Sequence, residues 1–251
     1  MVSVLCPLLF GAGCGQSEQV STPSEEPEST SSSAETKRNP SDIDTWIAHY
    51  YLDPDPDRVG WFLQELEAQG FLRHENAAGP MIGFLSQVFV RNPERLSEWF
   101  PPDDRIFPDG RAIFYRALWQ TDLAEAKAIL DDVQERGPHE LAQQLIEMRQ
   151  TAPLAISEWP VRSPGDLDVL WGAFFATGDA RYIEAIISKV QRNASGYEET
   201  LIQRAAVWSL GSNAQQHELV YRTCKEHVDD RERPSSDDLK QIVKSASEFW
   251  P

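Results

Sequence analysis

Leu167-Asp168-Val169-Leu170-Trp171-Gly172-Ala173-Phe174-Phe175-Ala176-Thr177-Gly178-Asp179 is the stretch that decides how this chain folds. Leu167, Leu170, Trp171, Phe174 and Phe175 recur at i, i+3, i+4, i+7 and i+8. That spacing stacks them on one side of an α-helix and gives the helix an apolar face to bury. Upstream, Ser163-Pro164 sets a capping hydroxyl before a proline already shaped for a first helical turn. Downstream, Thr177-Gly178-Asp179 is a tight polar turn, and a new apolar series follows with Ile183, Ile186, Ile187 and Val190.

The same spacing recurs outward in both directions. Ile43, Trp46, Ile47, Tyr50 and Tyr51 follow it, as do Val59, Phe62, Leu63 and Leu66, and Leu239, Ile242, Val243 and Ala246. No segment sustains the period-two alternation of a half-buried strand. Val88-Phe89-Val90 is the one strand-like run, and it sits in a helical frame. Ser41 to Asp44, Ser195 to Glu198 and Ser235 to Asp238 have capping-box spacing. The expectation is an all-α body over residues 41–251, of about ten or eleven helices joined by short turns. Thr151 to Ser163, with Pro153 and Pro160, interrupts the periodicity and reads as a long loop within one domain.

One local pattern repeats: an apolar helix end, a polar turn, then a new amphipathic helix. It occurs at Tyr50-Tyr51-Leu52-Asp53-Pro54, Phe89-Val90-Arg91-Asn92-Pro93, Leu118-Trp119-Gln120-Thr121-Asp122 and Phe174 to Asp179. The stretch from Leu170 to Asp179 resembles the helix–turn of a tetratricopeptide repeat. In that likeness Gly172 allows two helices to approach and Phe175 fills the aromatic slot. The resemblance implies stacked helical hairpins, an irregular tetratricopeptide-like α-solenoid.

The amino terminus is a different material. Residues 1–13 are apolar, shorter than the roughly 20 residues a membrane span needs, and end in Gly11-Ala12-Gly13 before Cys14. This resembles the lipobox of bacterial lipoproteins. The resemblance implies that residues 1–13 are a signal peptide and that Cys14 becomes the lipidated new N-terminus. It places the protein on the cell membrane or outer membrane, facing the periplasm or exterior. Residues 15–40 are mostly Ser, Thr, Glu and Pro. Such a composition buries too little apolar surface to offset its ordering entropy and predicts a disordered tether.

Charge and motif content narrow the function. The chain of 251 residues carries a formal charge of −17, with 40 acidic against 23 basic side chains. That acidity repels phosphate backbones and argues against a nucleic-acid partner. The His-Glu-x-x-His spacing, Gly-x-Ser-x-Gly, a phosphate loop and a dinucleotide fingerprint do not occur. Cys224 and His227 are three apart, but a metal site wants three or four ligands. The paired acids Asp103-Asp104, Asp131-Asp132, Asp229-Asp230 and Asp237-Asp238 fall at helix ends, where acids cap or stay solvated. We therefore expect no catalytic residue, no cofactor and no metal ligand set.

What remains is recognition. Most of the eight tryptophans share apolar stripes with Leu or Phe and read as core. Trp61 and Trp159 fall off those stripes and are candidate anchors for a partner. The segment Trp208 to His217 is the most polar helix junction, expected to turn at a Ser212 or Asn213 cap. Its Asn213, Gln216 and His217 are the further candidates for contacting a partner. The reading is a lipid-anchored scaffold that binds a protein or peptide. Two others stand beside it: an envelope hydrolase assembled from dispersed residues, and a carrier of a small apolar ligand.

Overall fold

Two helices that lie far apart in sequence form the centre of the molecule, and glycine lets their backbones touch. They are α3, Ala78–Arg91, and α8, Pro164–Thr177. A Cβ on Gly172 of α8 would lie 2.1 Å from the carbonyl oxygen of Pro80, and one on Gly83 of α3 would lie 1.9 Å from that of Val169. Neither position has room for any side chain. Pro80 is tolerated because it stands in the first turn of α3, where a backbone N–H has no intrahelical acceptor. This contact is the most extensive between any two helices.

The protein is described by a computed structural model covering residues 41–73, 76–101, 111–190, 196–230 and 235–250. Those residues form twelve α-helices, a few short 3-10 turns and no strand. Around α3 and α8 lie α1 (Ser41–His49), α2 (Val59–Ala68), α4 (Leu96–Trp99) and α5 (Arg111–Gln120). Next along the chain come α6 (Ala124–Arg136) and α7 (His139–Arg149). After α8 follow α9 (Ala180–Val190), α10 (Tyr197–Gln216), α11 (Glu218–Asp229) and α12 (Asp237–Ala246). Several helices adjacent in sequence pack against each other, namely α5 on α6, α6 on α7, α8 on α9, α10 on α11 and α11 on α12. One continuous apolar core runs from Ile43 to Ala246.

The buried pattern follows the spacing in the sequence. Ile183, Ile186, Ile187 and Val190 bury one face of α9, and Leu239, Ile242 and Ala246 that of α12. Every residue of α8 from Leu167 to Ala176 is buried, as expected for a helix covered on all sides. Val88-Phe89-Val90 is helical within α3.

Ser163 and Asp166 form the capping box that starts α8. Burial alone would raise the pKa of Asp166. Donors from Trp159, Arg162 and Ser163 outweigh it and hold the carboxyl below its usual value. The helix stops where Gly178 takes φ 67° and donates its N–H to Phe174, a left-handed cap that favours glycine.

Three expectations about helix ends need correction or placement. The carboxy-terminal helix is capped by Ser236, which accepts from the N–H of Leu239, one residue after the expected Ser235. The junction from Trp208 to His217 does not turn at Ser212 or Asn213, because α10 continues to Gln216. The physical reason is that Ser209 and Asn213 donate back to the carbonyls of Ala206 and Ser209 and so stay inside the helix. Ser195 lies outside the described residues, as do Cys14, the leader and the tether.

Candidate functional site

Two of the candidate residues, Asn213 and Gln216, lie on α10, at 20 residues the longest helix among the described residues. Its inner side packs on α9 and α12 through Ile202, Ala205, Ala206, Ser209, Leu210, Asn213 and Ala214. Its outer side carries Tyr197, Arg204, Trp208 and Gln215, all exposed. At 100° per residue these four fall within an arc of about 40°, so they form a single line along the helix. Tyr197 is 79 % exposed and Trp208 46 %, whereas Trp99 and Trp171 are buried in the core. An indole left this open forgoes the burial that normally holds a tryptophan inside.

The predicted site residues divide between this face and the core. Gln216 is exposed at the end of α10, where its amide donates to the carbonyl of Ser212. Asn213 is 3 % exposed and donates to the carbonyl of Ser209, so it faces inward. His217 is 2 % exposed and stands at the break between α10 and α11. Trp61, on α2, is half-buried against the core with the Arg58 guanidinium 5.0 Å above its ring. Trp159 is half-buried just before α8, and its indole N–H donates to Asp166. These residues lie on three separate parts of the fold.

His217 is the centre of a ring cluster. Its Nδ1 is 3.3 Å from the Tyr51 hydroxyl, and the rings of His49, Phe174 and Phe175 lie around it at 5.2, 6.0 and 5.3 Å. Burial, helped by the nearby His49, pushes its pKa down to about 4, so the ring is neutral at physiological pH. Tyr51 is its only side-chain hydrogen-bond partner among the described residues. The cluster ties the segment after α1 to α8 and to the α10–α11 break.

Cys224 is fully buried on α11, and burial pushes its thiol up to about 12, which leaves it a packing group. Among the described residues no group of three or more His, Cys, Asp or Glu could hold a metal ion. Among the same residues, no helix is long and apolar enough to cross a membrane.

Sequence reasoning passed over Trp208 as an anchor. The available signal was its register with Tyr197 and Arg204, which becomes visible only when α10 is drawn as one unbroken helix. Compared with known proteins, the chain matches no family model, no curated sequence and no solved structure, so its role is read from these surfaces.

Proposed function

We propose that this protein is a lipid-anchored helical scaffold at the bacterial cell envelope, binding a protein or peptide partner along the outer face of α10. The observation that carries this reading is the line Tyr197, Arg204, Trp208 and Gln215. Trp, Tyr and Arg are the side chains enriched where binding energy concentrates. Trp and Tyr have only two side-chain torsions, so they lose little freedom on docking, and here they stand on a helix rather than a loop. Gln216 flanks the line, while Asn213 and His217 hold the helix end from inside.

Cys14 carries the lipid, residues 15–40 hold the body clear of the headgroups, and the helical hairpins stack in the manner of an irregular tetratricopeptide-like solenoid. The partner then meets α10 at the membrane surface.

The test is a pull-down of the tagged full chain from mildly solubilised membranes. A stoichiometric partner is expected, and Trp208→Ala is expected to lower its affinity about thirtyfold, as for a central anchor. Undiminished recovery with Trp208→Ala would contradict the assignment of the α10 face. For location, Cys14→Ala is expected to leave the membrane fraction; retention there would contradict the anchor.

A further inference from the structure

A second surface, remote from α10 in sequence, has the composition of a ligand site. Helices α3, α5 and α7 surround a cavity of about 530 Å³, within the roughly 300–1,000 Å³ of small-molecule sites. Ala78, Ile82, Ile113, Leu141, Leu145 and Met148 line it, and none offers a strong hydrogen-bonding group. Into this apolar surround α5 also sends Arg116, half-buried.

Arg116 has no ion-pair or hydrogen-bond partner among the described residues. By contrast, Arg95, Arg136, Arg149 and Arg181 each hold an aspartate or glutamate. A guanidinium keeps its charge even when burial opposes it, so the site permanently presents a cation beside apolar walls.

The geometry points to a single-chain lipid carboxylate, a free fatty acid, with its tail on the aliphatic walls and its carboxylate on Arg116. The planar fork of arginine matches a carboxylate with two parallel N–H donors. Tyr115 and Gln144 line the same cavity and can donate to the same group. Glu147, exposed at the rim, adds a like charge, which favours a monoanion over a doubly charged phosphate. An acyl tail has no polar groups to satisfy, whereas a peptide backbone would leave N–H and C=O groups unpaired against these walls.

The test uses calorimetric titration of the full chain, bearing Cys14→Ser to remove the acylation site, with dodecanoate below its micellar concentration and dodecanol below its solubility limit. Saturable one-to-one binding of dodecanoate is expected, with dodecanol at least about tenfold weaker, the usual worth of a hydrogen bond to a charged group. Arg116→Gln should abolish the difference, and Arg116→Lys should restore part of it, with unchanged far-ultraviolet circular dichroism. Ile82→Trp, which fills the cavity, should block both ligands. Equal binding of acid and alcohol would overturn the proposal. So would an acid preference that survives Arg116→Gln, no saturable binding, or displacement of dodecanoate by an apolar hexapeptide. None of these outcomes bears on the α10 face, which is tested separately.

Discussion

Gly172 and Pro80 meet backbone to backbone: the position a Cβ on Gly172 would occupy is 2.1 Å from the Pro80 carbonyl oxygen. No rotamer relieves such a clash, because the atom it meets belongs to the main chain. The central crossing of α3 and α8 therefore depends on glycine at this point and at Gly83.

Gly172→Ala should accordingly force the two helices apart. The expected destabilisation is about 3 kcal/mol, the upper part of the range for overpacking a core. Gly60→Ala, whose added methyl would sit 3.6 Å from the Trp99 ring in ordinary contact, should cost far less. Urea denaturation of the two variants checks the contrast.

His217 makes stability depend on pH on the acid side. The folded state holds its pKa near 4 against an ordinary 6.5, so between those values the unfolded chain binds a proton that the fold refuses. The His217 term is fully favourable above about pH 6.5 and is lost as pH falls toward 4. It is worth about 3 kcal/mol at most by linkage. His217→Phe keeps a ring in the cluster and should flatten this limb, measured as melting temperature from pH 7 to pH 4.

Asp44 works in the opposite sense. Burial raises its carboxyl to about 7, and its Oδ1 is buried with no hydrogen-bond partner among the described residues. A carboxyl raised above its ordinary 3.8 stabilises the fold below that value and loses the effect as pH rises through 7. Asp44→Asn should raise the melting temperature at pH 8, with the gain fading toward pH 4.

The α10 face predicts a selective pattern of surface variants. Arg204→Ala and Tyr197→Ala should each weaken partner binding while leaving the melting temperature within about 2 °C of wild type, because both are exposed. Asn213→Ala should instead cost stability, since it is buried and bonded to the Ser209 carbonyl. Binding titrations set beside thermal melts separate the two effects.

Much of the helical body is legible in the sequence because burial follows a period that local spacing reveals. Leu167 to Phe175, Ile183 to Val190 and Leu239 to Ala246 each bury the face their spacing predicts. The close approach at Gly172 is legible too, but its partner on α3 is not, because nothing local links residues 80 and 172. The α10 junction misleads because serine and asparagine are common caps, and only inside a packed helix do Ser209 and Asn213 turn back to their own carbonyls. Trp208 and Arg116 escape for a related reason. Whether an indole stays exposed or an arginine stays unpaired is decided by neighbours brought together across the fold.

The central claim is that the outer face of α10 is where a partner docks. The most direct measurement is cross-linking in intact cells with a photoreactive amino acid at position 208, and separately at position 140, exposed on α7. The account predicts one discrete cross-linked species from position 208, lost on Arg204→Glu, and none of that mass from position 140. Equal yields of the same species from both positions, or none from position 208, would contradict it.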